Sequence, residues 1–542
     1  MKKNKFLPVA IGVALTLATS ASVSAKSFDA NNKKQLEQYF DALKDNNRFA
    51  GSIAIYEDGK PLFEKAIIVK DDHLVDSNQS YRYKIGSISK TFTTVLIFQM
   101  IEQGKLSLDT KLSEYFPGIA NAKEISIQQM LNHHSGIYNF TNAEDFSDYF
   151  KDPQTNQQMV ERIEKLEPAF KPGERAEYSN SNYLLLGYIL EQVSGKDYGD
   201  LIAERIAKPL GLKATYLEQK TEPEKNEVYS YFLNDDKWEV VDQWEMSVAD
   251  AAGALVSTTE ELNIFFKALF DTKLISKESL ATMISEQDLY GHGIFKRELD
   301  ADGTEYIAYG HSGGIESFNS NILYFPEQKI GVTYLSNAVS YDLGKVNKTL
   351  LRAAFGSEIE TPTFKELELT EDELKKYEGG YSSDTHPLDI SVMVKDGKLL
   401  AQASGQGAFP LTAVDVDTFE FPAAGIEMKF DPKNKQFVIK QGPRADIFTL
   451  KGTEIKQVKV ATELLEKFVG VYASDSFPLD IEIKLKDEAL FAQATGQPEF
   501  PLKAEADRKF SFDLAGIVIE FEEDKSQLVI TQHGKANVMT KK

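Results

Sequence analysis

Ser87 and Lys90 stand three residues apart in the stretch YKIGSISKTFTTVLIFQMIEQG. If this stretch is helical, that spacing places both side chains on one face. Phe92, Val95, Leu96, Met100 and Ile101 continue a helical apolar pattern behind them, and Gly104 supplies a stop signal. A serine at the mouth of such a helix lies among backbone N–H groups that have no intrahelical acceptor. It also lies at the positive end of the helix dipole. A hydroxyl there, with an amine beside it, is suited to nucleophilic attack on a carbonyl. Taken alone the pair is a weak signal, because serine is a common N-cap residue.

Two further segments carry polar groups next to regular elements. Tyr178 and Asn180 directly precede the helical pattern YLLLGYILEQVSG, which ends on the C-cap candidate Gly195. Two polar groups two residues apart converge on one pocket when the segment is a loop or an extended turn. His311, Ser312, Gly313 and Gly314 follow the strand-like TEYIAYG, and glycine permits close approach of a ligand to the backbone.

Other residues with chemical potential have plainer readings. Gly310-His311-Ser312-Gly313-Gly314 fits the G-x-S-x-G nucleophile elbow, which would nominate Ser312. That elbow requires a helix after the serine, whereas IESFNSNILYFP reads as loop and strand. His134-Ser135-Gly136 closes a helical pattern and reads as a helix stop. His133 and His134 have no acidic or thiol partner at metal-ligand spacing, and His292 between two glycines has no assigned role. The chain has no H-E-x-x-H, G-x-G-x-x-G or P-loop, so neither metal nor nucleotide cofactor is implied.

The elements that must position these groups can be outlined. Phe49 to Tyr56 and Leu62 to Val69 read as strands joined at Asp58-Gly59. Helical patterns dominate to about residue 270, and strands return with SNILYFPEQKIGVTYLSN. A sheet built from both ends of this region, with helices packed on it, satisfies the layer rules for an α+β domain over residues 26–356. Residues 357–369 are polar, contain Pro362 and read as a linker.

A duplication follows. YSSDTHPLDISVMVKDGKLLAQASGQGAFPL from Tyr381 matches YASDSFPLDIEIKLKDEALFAQATGQPEFPL from Tyr472 without a gap, and Ala424-Gly425-Ile426 matches Ala515-Gly516-Ile517. Each copy alternates in short strands, so residues 370–451 and 461–542 are expected to form two small all-β, barrel-like domains. Closure removes exposed sheet edges.

Ser87-Ile88-Ser89-Lys90, Tyr178-Ser179-Asn180 and His311-Ser312-Gly313 together resemble the three-motif signature of penicillin-recognising serine hydrolases. The similar branch holds class C β-lactamases, D-alanyl-D-alanine carboxypeptidases, D-aminopeptidases and some esterases, and the resemblance covers about residues 30 to 355. It implies a β-lactamase-like domain with a central antiparallel sheet and flanking helices. It also implies an acyl-enzyme on Ser87, proton removal by Lys90, and Tyr178 as base or proton shuttle. Asn180 would orient the substrate amide, His311 would face Ser87 from a strand, and the N–H groups of Ser87 and Gly314 would form the oxyanion hole. Gly313 and Glu316 would line the substrate site. Histidine in the third motif resembles peptidases and esterases more than efficient β-lactamases. The implied substrates are therefore D-amino-acid peptides or amides, with esters or lactams as the alternative. A catalytic domain followed by two barrels resembles D-aminopeptidases, in which a barrel loop reaches the active-site mouth. Gly405-Gln406-Gly407 and its copy at Gly496-Gln497 are candidates for that loop, with a repeated turn as the plainer reading. Relatives often carry Pro-Gly-Phe where this chain has Glu316-Ser317-Phe318; an acid at the mouth would disfavour substrates with a terminal carboxylate, and the alternative is a side chain that points away into solvent. A non-enzymatic reading, an inactive cell-wall-binding or signalling protein, is opposed by the presence of every key side chain.

Bulk properties limit partners and compartment. Lys2, Lys3 and Lys5, the apolar Phe6 to Leu17 and the small residues Val23-Ser24-Ala25 read as a secretory leader cut after Ala25, hence periplasmic or extracellular. The formal charge of −22 argues against a nucleic-acid partner, and the absence of cysteine excludes disulfides and thiol chemistry. No later apolar run is long enough to span a bilayer, so no stable membrane insertion is expected.

Overall fold

The computed structural model describes residues 27–542 except 70–79 and the short stretches 235–236, 288–289, 302–303, 365–366, 384–385, 387, 442–443, 453–459, 475–476, 487–488, 495–498, 513–516, 523–525 and 533–534. The leader, the Gly496-Gln497 turn and Ala515-Gly516 lie outside the described residues.

Among the described residues the first domain has eleven strands: β1 (Phe49–Glu57), β2 (Lys60–Ile67), β3 (Tyr83–Lys84), β4 (Tyr216–Leu217), β5 (Tyr231–Asn234), β6 (Lys237–Val240), β7 (Leu255–Ser257), β8 (Phe295–Ala301), β9 (Thr304–Ile315), β10 (Phe318–Phe325) and β11 (Ile330–Val339). The main sheet runs β2-β1-β11-β10-β9-β8, with antiparallel neighbours throughout. Strands from the two ends of the domain thus meet at β1–β11, as the sequence leads one to expect. Alternation along a strand sends successive side chains to opposite faces. On β10, Ile322 and Tyr324 enter one core and Leu323 and Phe325 the other. Helices Ala30–Asp45 and Leu343–Ala354 cover one face, while Ser89–Glu102, Asn180–Ser194 and Thr259–Phe270 build the larger core on the other. A small sheet, β3-β7-β4, leads the chain into the Ser87 turn.

The helix behind Ser87 is less amphipathic than its sequence suggests. Residues Ser89 to Phe98 are all buried, so it runs through the core. Two of its three buried threonines donate to neighbouring backbone, Thr91 Oγ1 to Gly293 O at 2.7 Å and Thr93 Oγ1 to Ala251 O at 2.8 Å, and Thr94 pairs with Tyr183 Oη at 3.3 Å.

The two C-terminal units each have a separate apolar core. Residues Gly379–Ser382 to Arg444–Leu450 close into an eight-stranded barrel. The second unit is a curled nine-stranded sheet whose end strands are Phe500–Pro501 and Lys503–Ala506. Those ends are consecutive in the chain and are separated by Leu502 alone, so the covalent backbone joins the two edges there. The duplication persists in side-chain detail. Tyr381 Oη donates to Tyr377 O at 2.9 Å, and Tyr472 Oη donates to Phe468 O at 2.8 Å.

Candidate active site

Ser87 lies in a 3-10 turn, Gly86–Ile88, immediately before helix Ser89–Glu102 rather than in the helix itself. The tight turn leaves Ser87 partly exposed while its neighbours Gly86 and Ile88 are buried. Gly86 has φ +51, and a Cβ there would come within 2.8 Å of Gly314 N. Gly313 is equally constrained, since a Cβ would lie 2.0 Å from Ile85 O. Gly313 and the glycine before Ser87 therefore serve the close approach of β9 to the Ser87 turn, whereas a Cβ on Gly314 would meet nothing closer than 4.0 Å. Ser320 Oγ adds a bond to Ile85 O at 2.7 Å across the same seam.

Lys90 is fully buried. Its Nζ contacts Ser87 Oγ at 3.0 Å, Asn180 Oδ1 at 2.8 Å and Ala252 O at 2.6 Å. Burial holds its pKa well below the usual lysine value. As a neutral amine it has two N–H donors and a lone pair. In that state Asn180 Oδ1 and Ala252 O would take the donors and leave the lone pair for the Ser87 hydroxyl.

Tyr178 closes the group. Its ring centroid is 5.0 Å from Lys90 Nζ. Burial raises its pKa, an effect opposed by a hydrogen bond with Ser87. The three distant segments nominated in the sequence thus meet in one pocket, with tyrosine as the phenol and lysine as the more readily deprotonated group.

Asn180 is occupied inside the protein: Oδ1 serves Lys90, and Nδ2 donates to Thr141 Oγ1 at 3.2 Å. It holds the amine through Oδ1, and the second N–H of its Nδ2 is not engaged by Thr141. His311 is buried on β9, and its Nδ1 donates to Ser312 O at 2.5 Å. Burial pushes its pKa down to about 3, so the imidazole is neutral at neutral pH.

Glu316 corrects the sequence expectation. Its carboxylate does not line the mouth but turns inward, 1% exposed, onto Lys84 at 2.6 Å. Ser312 sits exposed in the middle of β9, which runs on to Ile315 and into a hairpin, so no helix follows and the elbow is absent. The Gly405-Gln406-Gly407 segment is a turn closed on itself, with Gln406 N donating to Ala403 O at 3.0 Å and Gln402 Nε2 to Gln406 O at 2.8 Å.

Several contributors escape the sequence reading. His133, with φ +62, accepts from Ser179 N at 3.2 Å and lies 4.4 Å from the Tyr178 ring, fixing that ring from behind. Tyr290 and Phe295 continue the aromatic wall, Phe295 at 4.7 Å from His311. The Ala252 carbonyl is a third case. Adjacent histidines at a helix end and AAGALVSTTEEL are visible in the sequence, but nothing local points them at Lys90.

This fold, with a serine, a buried lysine and a tyrosine meeting beside a glycine-lined strand, defines a penicillin-recognising hydrolase. The model of the Beta-lactamase family matches residues 36–355, and the chain belongs to that family. Protein flp from Staphylococcus aureus (strain MW2) is 30% identical over 302 residues, 53% of this chain and 59% of that protein. The chain thus spans about three fifths of the length of that curated relative. Among solved structures, a D-stereospecific amidohydrolase from Streptomyces sp. is 27% identical with a TM-score of 0.50, covering 60% of this chain and 98% of its own. The octameric penicillin-binding protein homologue from Pyrococcus abyssi is 25% identical with a TM-score of 0.53, covering 77% of this chain and 99% of its own.

Proposed function

We propose that this chain is an exported serine hydrolase that forms an acyl-enzyme on Ser87 and acts on D-amino-acid-containing peptides or amides. The observation that carries the mechanism is the environment of Lys90: buried, and aimed at Ser87 Oγ by two acceptors that occupy its donors. In this reading Lys90 takes the Ser87 proton as the hydroxyl attacks the carbonyl. Tyr178 relays a proton between Lys90 and the departing amine. The N–H groups of Ser87 and Gly314 receive the oxyanion, where fixed donors are worth most. Asn180 keeps Lys90 in place. Water then attacks the acyl group by the same relay in reverse.

Two features support amides and peptides over substrates held by a carboxylate. His311 is neutral, so the third-motif position offers no cation. The similarity to a D-stereospecific amidohydrolase points the same way. A panel of D-alanine p-nitroanilide, D-Ala-D-Ala peptides, nitrocefin and short p-nitrophenyl esters tests the assignment. Turnover of D-amides above their L-enantiomers is expected, and clear preference for esters with no cleavage of D-peptides overturns it. Export by residues 1–25 belongs to the same proposal. N-terminal sequencing of protein recovered outside the cytoplasm should begin at Lys26. Among the described residues no helix is long and apolar enough to cross a membrane.

A further inference from the structure

Glu316 occupies the turn between β9 and β10 with φ +55. Glycine or asparagine ordinarily fills a left-handed position in a short hairpin turn. Lys329 and Lys435 hold the same conformation in other hairpin turns, so it is the contacts of Glu316 that single it out. Its Oε1 accepts from Lys84 Nζ at 2.6 Å and from Trp244 N at 2.9 Å, and its Oε2 from Ser230 Oγ at 3.3 Å. One carboxylate therefore ties the hairpin tip to β3 and to the segments at 230 and 244. Both members of the ion pair are 1% exposed. A second carboxylate, Glu218 Oε2, lies 3.7 Å from the same Nζ.

The location gives this tie its meaning. Lys84 is three residues before Ser87, and Glu316 is two residues after Gly314. The pair thus joins, from beneath, the two backbone segments whose N–H groups must converge on one oxygen. Oxyanion donors act through fixed geometry, and small displacements weaken them. Buried ion pairs are best attested as devices that fix register rather than as sources of net stability.

We propose that Glu316, held by Lys84, is a positioning residue for acyl transfer: the buried pair fixes the β9–β10 tip, and with it Gly314 N–H, against the Ser87 turn. This rests on the reading of Ser87 as nucleophile and Gly314 as oxyanion donor. The carboxylate touches no reacting atom. Its effect is on the transition state, where the oxyanion develops, and not on ground-state binding.

The test compares Glu316→Gly and Glu316→Gln in the full mature chain. Glycine suits the left-handed backbone, so the first variant keeps the turn and loses only the tether. Glu218 Oε2 remains 3.7 Å from Lys84 Nζ. Glutamine retains an acceptor for Lys84 and Trp244 and serves as rescue. On the best substrate of the panel, Glu316→Gly should lose about 10- to 100-fold in kcat with KM changed by less than about threefold. Its affinity for a boronic acid, whose tetrahedral adduct resembles the intermediate, should fall by about the same factor. Glu316→Gln should recover to within about threefold of wild type. A folded Glu316→Gly protein with wild-type kcat and boronate affinity overturns the proposal, as does a loss confined to KM. Ser87→Ala is the separate control: if it keeps full turnover, the nucleophile assignment has failed rather than the positioning role.

Discussion

Lys90 Nζ lies 2.6 Å from the carbonyl oxygen of Ala252, a residue 162 positions later in the chain. That contact orients the amine, and it depends on an unusual piece of backbone. The helix Met246–Gly253 is interrupted at Asp250, with φ 34 and ψ −129. The break turns the following carbonyls toward helix Ser89–Glu102, where Ala251 O meets Thr93 and Ala252 O meets Lys90. Strain of this kind persists when surrounding packing holds it.

Gly187 supplies part of that packing. A Cβ at this position would sit 2.4 Å from Ala251 Cβ, so helix Asn180–Ser194 approaches the kinked segment only as glycine. Gly187→Ala should destabilise the protein by about 1–3 kcal/mol through overpacking. It should also lower turnover by displacing the Ala252 carbonyl from Lys90. A thermal melt read beside kcat checks both effects, and unchanged turnover in a destabilised protein would separate packing from orientation.

Proton transfer is testable at Lys90 and Tyr178. Burial lowers the Lys90 pKa and raises that of Tyr178. Acylation needs the free amine, so its rate should rise with pH through the lowered lysine value and then level. The phenol stays protonated beyond that point, so Tyr178 should impose no alkaline fall near neutrality. Lys90→Arg keeps a permanent cation and should lose about 10³-fold or more. Tyr178→Phe should lose about 10²- to 10⁴-fold. Single-turnover acylation across pH measures each, and an acid limb that survives in Lys90→Arg would assign the base elsewhere.

The rival serines separate cleanly. Ser87→Ala should abolish covalent labelling by a fluorescent penicillin or phosphonate. Ser312→Ala should leave labelling intact and shift KM only modestly, because Ser312 is exposed on β9 and its carbonyl already holds His311 Nδ1. Mass spectrometry of the labelled peptide decides between the two serines.

Much of the site is written locally and some is not. Ser87 with Lys90, Tyr178 with Asn180, and the run from His311 to Gly314 each occupy short segments next to strong periodic patterns, so type and placement can be read together. The sheet's ends, β1 and β11, show the same local clarity. What stays hidden is what depends on crossings. His133 reaches Tyr178 only because helix Ile127–Leu131 ends against the loop at 178, and its left-handed backbone has no sequence mark. Glu316 has the right position but the opposite direction, since its partner Lys84 lies 232 residues away. The alternating pattern announces both β-domains, while the break at Leu502 that distinguishes the second follows from no obvious change in residue type.

Stability should respond to pH in two windows of opposite sign. Glu218 and Asp250 are buried carboxyls, each pushed up to about 7 by burial, with charged neighbours as a smaller influence. A folded pKa above the unfolded value means that the native state holds the extra proton, so stability falls as pH rises toward that value and continues to fall above it only until the groups are ionised. His311 has the reverse relation: its folded pKa is pushed down to about 3, so the unfolded state takes the proton first. Stability is therefore lost as pH falls from about 6.5 toward 3. Glu218→Gln or Asp250→Asn should each relieve up to about 3 kcal/mol at about pH 8 and have little effect at about pH 4. His311→Asn should flatten the acid side instead. Urea melts of the three variants at those two pH values check the signs, and a Glu218→Gln protein less stable than wild type at the alkaline value would show that its carboxylate is charged and compensated in the native state.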